Sequence, residues 1–309
     1  MRLKDFFKKK RETVIEEEAT VCTKGTSCKK EDKPLDKKET ATVEEVTATS
    51  KETPAKDATG SNLMNKIAPK EVGTLDMVIA FDTTGSMAAY IDDVRQQVAD
   101  LIPSLFKDNK NIRVGIVAFG DYCDMKNARE FGNAYQVIQP TDNENDLVRF
   151  VLSSHNTSGG DGDEFYELVL KKIIDETPWR EAASKVILLI SDSKPHPLGY
   201  SYKDYVTGNQ IDWRKEAEKA AEMKIRIDTV SIHPLEWYKE LSAMSNGVNV
   251  PFSSSHKTSR MLNAAIHARG SMKARARFDV EYKHEMEGDD EEMKAIYRRY
   301  RREREDMEF

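Results

Sequence analysis

The sequence predicts an α/β fold built around a mostly parallel sheet. Apolar runs of strand length alternate with segments whose apolar residues recur at helical spacing through most of the chain. This alternation is typical of strand–helix–strand units with parallel strands. Two of the apolar runs are followed by an aspartate, Asp82 directly and Asp192 after one serine. Ligands of open α/β sheets bind beyond the carboxyl ends of the strands, so these aspartates indicate where to expect a site.

Six strands are predicted from apolar runs followed by turn residues. The weakest of them, near residues 131–139, is expected at an edge of the sheet. The predicted strands are Leu75–Asp82, Ile112–Phe119, 131–139, Val186–Ile190, Ile225–Ile232 and Val248–Phe252.

Helices are predicted between these strands from the helical recurrence of apolar residues. The first, which includes Ile91 and Leu105, contains Pro103, a residue that kinks or shortens a helix. The others cover Asp142–His155, a segment from Phe165 to Ile174, Trp213–Met223, Leu235–Ser245 and Ser259–His267.

The two ends of the chain differ in composition from its middle. Residues 1–70 contain 16 Lys and Arg, 13 Asp and Glu, and few apolar residues, so we expect a disordered charged tail. Residues 271–309 are also highly charged and predict a partly helical tail without a core of its own, with an exposed helix at Asp290–Glu303. The middle, residues 71–270, holds 22 basic and 29 acidic residues, which argues against nucleic-acid binding.

The sequence shows no pattern typical of a secretory signal, a membrane span or a zinc site. The basic start is not followed by an apolar signal region, and no apolar stretch approaches the ~20 residues that span a bilayer. We therefore expect a cytoplasmic protein without a transmembrane segment. Cys22, Cys28 and Cys123, together with the six histidines, show no zinc-site spacing.

The segment Asp82-Thr83-Thr84-Gly85-Ser86 carries the clearest chemical pattern. Asp82, Thr84 and Ser86 alternate along one tight loop, so a carboxylate and two hydroxyls can point to a common place. Oxygen ligands of this kind suit a hard divalent cation such as Mg²⁺. On its own the pattern is equally compatible with a helix N-cap.

Two further loops are expected at the same end of the sheet. One is Thr157-Ser158-Gly159-Gly160-Asp161-Gly162-Asp163-Glu164, and the other begins at Asp192. Three oxygen-rich loops at the carboxyl ends of one sheet favour a shared metal site over three separate turns.

These three segments together resemble the von Willebrand factor A family. Asp82-Thr83-Thr84-Gly85-Ser86 is similar to its D-x-[ST]-x-S signature, and the loop from Thr157 resembles the Gly-Gly-Asp loop of intracellular and bacterial members. Ser191-Asp192-Ser193-Lys194-Pro195-His196 resembles its third motif. The resemblance covers about Leu75–His267. It implies a doubly wound sheet with helices on both faces, in a domain at residues 71–270, and a metal-ion-dependent adhesion site.

The resemblance also implies roles for individual residues. Thr84 and Ser86 are expected to offer hydroxyl oxygens to Mg²⁺, with Mn²⁺ and Ca²⁺ as alternatives, and Asp82 and Asp192 to act directly or through water. For the second loop we favour Asp161, because a carboxylate is the stronger ligand, and keep Thr157 as the alternative. Asp161 is equally compatible with a plain charge at a helix N-terminus.

The predicted function is a non-enzymatic interaction module. Its metal ion would bind an Asp or Glu carboxylate of a partner protein, as part of an adaptor in a larger complex. The main alternative is a phosphatase resembling the haloacid dehalogenases, with Asp82 as nucleophile and Asp192 as a metal ligand. Thr84 argues against it, since most hydrolases of that group carry an aspartate at this position.

Overall fold

The computed structural model describes residues 74–204, 206–252 and 257–308. Its central sheet has six strands in the order β3-β2-β1-β5-β7-β8, and only β3 runs antiparallel to its neighbour. A separate parallel pair, β4 and β6, has two residues per strand. The strands are β1 Leu75–Asp82, β2 Ile112–Phe119, β3 Tyr135–Thr141, β4 Asp163–Glu164, β5 Ser184–Ser191, β6 Lys194–Pro195, β7 Ile225–Ser231 and β8 Asn249–Pro251.

Eight α-helices accompany these strands within the described residues. They are α1 Ile91–Asp108, α2 Glu144–Ser153, α3 Tyr166–Glu176, α4 Trp213–Glu222, α5 Glu236–Met244, α6 Lys257–His267, α7 Met272–Glu287 and α8 Glu291–Glu308. The predicted α/β class with a mostly parallel six-stranded sheet is thus confirmed, and the weak third strand is the antiparallel edge strand.

Two apolar cores lie on the two faces of the sheet. β1 is buried along its whole length, and its side chains alternate between the cores: Ile79 and Phe81 contribute to one, Val78 and Ala80 to the other. Helices α1, α2, α6, α7 and α8 contribute to the first core, and α3, α4 and α5 to the second. Helices therefore cover both faces, as a doubly wound sheet requires.

Helix α1 continues through Pro103. The helix extends over 18 residues with Pro103 inside it, and the buried residues Leu101, Ile102 and Leu105 flank the proline. Packing of this apolar face against the sheet compensates for the hydrogen bond that proline removes.

The C-terminal segment differs from the expected exposed tail. Helices α7 and α8 place Phe278, Met293, Tyr297 and Tyr300 in the first core, each at most 3% exposed. The ring of Phe278 stacks on Tyr297 at 5.5 Å. We expected an exposed helix here because this segment is highly charged. The apolar residues of α8, however, recur every three or four positions and form one buried stripe.

Helix α7 is also held by a buried charge. Asp108, at the end of α1, is 3% exposed and forms ion pairs with Lys273 at 3.1 Å and with Arg277. The packed structure therefore continues beyond residue 270, where we expected the domain to end. The N-terminal tail expected at residues 1–70 lies outside the described residues.

Among the described residues, no helix combines the length and the apolar character needed to cross a membrane.

Candidate functional site

The switch point of the sheet lies between β1 and β5. From β1 the chain proceeds to β2 and β3 on one side, and it returns next to β1 with β5 before continuing to β7 and β8 on the other. Asp82 ends β1 and Asp192 directly follows β5, so both lie at the carboxyl ends of the two central strands. This is the position where ligands bind in open α/β sheets.

Both carboxylate oxygens of Asp82 accept hydrogen bonds. Oδ1 accepts from the backbone N–H of Thr84 at 2.8 Å and from the Thr84 hydroxyl at 2.7 Å. Oδ2 accepts from the hydroxyl of Tyr166, in α3, at 2.6 Å. Asp82 is fully buried, so its carboxylate is held in one orientation.

Ser86 connects this loop to solvent. Its hydroxyl lies 3.1 Å from the hydroxyl of Thr84, and its side chain is exposed although Thr84 is buried. Ser86 also donates a hydrogen bond that lowers the pKa of Asp192, against the stronger effect of burial, which raises it. A single Ser86 proton cannot serve Thr84 and Asp192 together, so oxygen acceptors outnumber donors here.

Asp192 is 3% exposed, and its Oδ1 atom has no hydrogen-bond partner. A buried oxygen without a partner is costly and calls for an explanation. The structure thus brings together four of the predicted ligands: Asp82, Thr84, Ser86 and Asp192.

The second loop, Thr157–Glu164, is tied to the first at its backbone. The N–H of Thr157 donates to the carbonyl of Thr83 at 2.9 Å, and the N–H of Gly85 donates to the carbonyl of Ser158 at 3.0 Å. The side chain of Asp124 accepts from the N–H groups of Ser158 and Gly159 at 2.8 and 3.1 Å. These bonds fix the loop beside the first motif.

Neither expected ligand of this loop forms a hydrogen bond with the Asp82 motif's ligand side chains. The hydroxyl of Thr157 lies 3.0 Å from that of Thr83. Asp161 is exposed and accepts hydrogen bonds from the N–H of Asp163 and, at 3.0 Å, from the hydroxyl of Tyr200. The preference for Asp161 therefore finds no support in these contacts.

Glu164 takes the place beside Thr84. It is 2% exposed, and its carboxyl group lies within hydrogen-bonding reach of the Thr84 hydroxyl, whose single proton is already donated to Asp82. A Cβ atom at Gly159 would lie 3.1 Å from Glu164 Oε1 and 3.3 Å from Thr84 Cβ, which shows how tightly the loop packs there. Glu164 Oε2, like Asp192 Oδ1, has no hydrogen-bond partner.

Sequence reasoning missed Glu164 because it is the last residue of its motif and suits a plain helix-start charge. The signal that could have found it is its position at the end of a glycine loop, directly before the apolar Phe165. β4 pairs with β6, and this pairing aligns Glu164 with Pro195, which is three residues after Asp192. The pairing is a long-range contact that local spacing does not encode.

The site is a buried acidic cluster in which burial raises the pKa of Asp192 while the nearby His233 lowers it. Burial raises the pKa of Asp82 to about 7, although hydrogen bonds from Tyr166 and Thr84 counteract it. Burial also raises the pKa of Glu164 to about 10, with the charge of Asp82 adding to the effect. Within residues 74–204, 206–252 and 257–308, no Lys or Arg forms an ion pair with Asp82, Glu164 or Asp192.

These residues fit a hard divalent cation. Three buried carboxylates and two hydroxyls offer only oxygen, and two of the carboxylate oxygens are free of other partners. We call Asp82, Thr84, Ser86, Glu164 and Asp192 the switch-point site. A cation at such a site offsets the cost of burying the charges.

A second group, with a histidine, lies near the same edge. Potential ligand atoms of Asp121, Asp161 and His196 all lie within 4.8 Å of one another. His196 was not expected to be a metal ligand, because the six histidines show no zinc-site spacing. The three residues come from separate loops and meet only in the folded chain.

The fold and the oxygen-lined switch point define an α/β domain with a ligand site at the carboxyl edge of its sheet. The family model of the von Willebrand factor type A domain matches residues 76–264, more than half of the chain, and the chain belongs to this family. Domains of the family are typically non-enzymatic interaction or adhesion modules and commonly bind a divalent metal.

Solved structures of the same kind are only distantly similar. The conserved hypothetical protein BatB from Bacteroides thetaiotaomicron is 15% identical, with 61% of this chain and 95% of that chain covered and a TM-score of 0.43. An aerotolerance-related membrane protein from Bacteroides fragilis is 14% identical, with 62% and 98% covered and a TM-score of 0.43. The pilus adhesin SpaC from Lactobacillus rhamnosus GG is 14% identical, with 63% of this chain and 30% of that chain covered and a TM-score of 0.44. Similarity this low says nothing about a shared partner.

No curated protein sequence matches this chain.

The phosphatase alternative finds no support. The family match indicates an interaction module and no enzyme family. Both oxygens of Asp82 accept hydrogen bonds in a fully buried position, whereas a nucleophile must be able to reach its substrate.

Proposed function

We propose that this chain is a metal-dependent protein-interaction module whose switch-point site binds an acidic group of a partner protein. The observation that carries the proposal is the set of three buried carboxylates, Asp82, Glu164 and Asp192, none of which forms an ion pair with a Lys or Arg among the described residues. Burial raises the pKa of all three carboxyl groups, so each of them takes up a proton more readily than an exposed carboxyl does.

Each residue of the site has a distinct task in this proposal. Thr84 and Ser86 offer neutral hydroxyl oxygens, and Asp192 and Glu164 offer carboxylate oxygens without other partners. Asp82 orients Thr84 through two hydrogen bonds and adds negative charge. A bound Mg²⁺, or Mn²⁺ or Ca²⁺ in its place, would supply an open coordination position for a carboxylate.

The opening for a partner lies at Ser86. Gly85, Ser86, Ala88 and Ala89 are exposed, while the carboxylates behind them are buried. Small side chains around an exposed hydroxyl leave room for an Asp or Glu side chain of a partner. The proposal places the chain as an adaptor in a larger complex, and the cytoplasmic location stays a prediction.

The metal site is tested by calorimetric titration of the full chain with Mg²⁺, Mn²⁺ and Ca²⁺. We expect saturable binding that falls at least about ten-fold in Ser86→Ala, since one ligand oxygen is removed. Ser153→Ala, an exposed serine in α2, is the matched control and should bind as the parent does. Absence of saturable binding at millimolar metal in the parent would sink the proposal.

The second-loop ligand is tested with two neighbouring carboxylates. We propose Glu164 in this role, so Glu164→Gln should weaken metal binding at least about ten-fold. Asp161→Asn should leave Mg²⁺ binding unchanged, because Asp161 bonds to Tyr200 instead. The reverse result, loss in Asp161→Asn with Glu164→Gln unaffected, would restore Asp161 as the ligand.

A further inference from the structure

The group formed by Asp121, Asp161 and His196 is a second candidate for cation binding. Asp121 follows β2, His196 follows β6, and Asp161 lies in the second loop. None of the three belongs to the switch-point site. We call them the His196 cluster.

The cluster has a buried side and an open side. Asp121 is 1% exposed and His196 is 2% exposed, whereas Asp161 is exposed. Nε2 of His196 lies 2.8 Å from Oδ1 of Asp121, and Nδ1 of the same ring has no hydrogen-bond partner. Two ligand groups are thus held in the interior, and the third reaches them from solvent.

The surroundings hold the imidazole in a fixed orientation. The ring of Tyr200 stacks on that of His196, with centroids 3.7 Å apart, and the Tyr200 hydroxyl donates to Asp161 at 3.0 Å. The N–H of His196 donates to the carbonyl of Glu164 at 3.3 Å. A ring that is already oriented binds a ligand with little further loss of entropy.

The distances suit a cation of ordinary size. Two ligand atoms at right angles around an ion with bonds of about 2.1 Å are about 3.0 Å apart, close to the observed 2.8 Å between His196 and Asp121. Two ligand atoms on opposite sides of such an ion are about 4.2 Å apart. The potential ligand atoms of the three residues all lie within 4.8 Å of one another, so a small movement of the exposed Asp161 side chain is enough to reach that distance.

The ligand set selects the kind of cation. An imidazole nitrogen with two carboxylates suits divalent transition-metal ions such as Zn²⁺, Co²⁺ or Mn²⁺, whereas Mg²⁺ prefers oxygen alone. We propose that Asp121, Asp161 and His196 form a second metal site, separate from the switch-point site, that takes a divalent transition-metal ion.

Cobalt is the suitable probe, because Co²⁺ bound to nitrogen and oxygen ligands has a visible absorption. The full chain is titrated with Co²⁺ in excess Mg²⁺, which fills the oxygen-only site first. We expect one equivalent of Co²⁺ with this absorption and an affinity at least about ten-fold lower in Asp161→Asn and in His196→Gln. Asp161 is exposed, so its variant stays interpretable even if the buried His196→Gln variant misfolds.

Three further variants distinguish this site from others. Asp163→Asn removes a carboxylate two residues from Asp161, and His284→Gln removes an exposed histidine of α7. Ser86→Ala weakens the switch-point site. All three should keep the cobalt absorption and affinity of the parent.

The proposal is overturned if the parent shows no saturable cobalt absorption, or if Asp161→Asn and His196→Gln bind as the parent does. It is also overturned if Ser86→Ala abolishes the absorption while His196→Gln retains it, because the ion then occupies the switch-point site. If calorimetry shows no Mg²⁺ binding at the switch-point site, the cobalt result at the His196 cluster still stands. The two proposals can therefore be refuted independently.

Discussion

The hydroxyl of Tyr166 donates a hydrogen bond of 2.6 Å to Oδ2 of Asp82. This bond joins the first residue of α3 to the last residue of β1, and Tyr166 is fully buried. The same hydroxyl accepts from the N–H of Ser193 at 3.2 Å, next to Asp192. One side chain therefore connects the loops that follow both central strands.

Replacing this tyrosine tests the connection. The Tyr166 hydrogen bond lowers the pKa of Asp82 against the effect of burial. Tyr166→Phe should therefore raise that pKa above about 7 and weaken Mg²⁺ affinity at neutral pH, by about ten-fold for each unit of pKa shift. The measurement is calorimetry at neutral pH. Tyr297→Phe is the control, because this buried tyrosine of α8 donates its hydroxyl hydrogen bond to Glu281 at 3.5 Å and not to Asp82; an equal loss in both variants would contradict the assignment.

The raised pKa values predict how stability depends on pH and metal. In the folded chain without metal, the pKa of Asp82 is about 7 and that of Glu164 about 10, whereas in the unfolded chain both groups release their protons above about pH 4.5. The folded state therefore binds more protons than the unfolded state in this range, and the free energy of unfolding falls as the pH rises. A cation that replaces these protons should stabilise more at high pH. We expect Mg²⁺ to raise Tm more at about pH 8.5 than at about pH 5.5. Equal shifts at both pH values would show that these carboxylates do not bind the ion.

Glycine at position 85 is required by the contact between the two loops. A Cβ atom there would lie 2.8 Å from the backbone carbonyl oxygen of Ser158, which also accepts the Gly85 N–H. Gly85→Ala should therefore cost about 1–3 kcal/mol in the free energy of unfolding, and it should weaken metal binding. Gly162→Ala is the control, because nothing lies within 4 Å of its added Cβ. Denaturant unfolding of both variants gives the comparison, and similar losses would refute the steric explanation.

The C-terminal helices are predicted to be part of the stable domain. Phe278 is fully buried in α7, whereas Val280, two residues later in the same helix, is 68% exposed. Phe278→Ala should lower the free energy of unfolding by about 3–5 kcal/mol, and Val280→Ala by less than about 0.5 kcal/mol. Chemical denaturation monitored by circular dichroism measures both. A small effect of Phe278→Ala would mean that α7 is not packed as described.

Local patterns in the sequence determined the secondary structure and part of the site. β1 and β2 have the predicted bounds, because continuous apolar runs between turn residues leave little choice of conformation. Asp82, Thr84 and Ser86 were also predictable, since one tight loop sets their spacing. Asp192 could be added because parallel strands bring their carboxyl ends to one edge.

Only the tertiary structure decided which second-loop residue lies beside Thr84. Asp161 and Glu164 are both carboxylates three positions apart, and their spacing cannot tell which one faces Thr84. The pairing of β4 with β6 buries Glu164 there and leaves Asp161 with Tyr200 and the His196 cluster. In the same way, the burial of α8 depends on a core assembled from distant segments, whereas its charges are visible locally. Spacing along a chain encodes short-range geometry, and contacts between distant segments arise only when the chain packs.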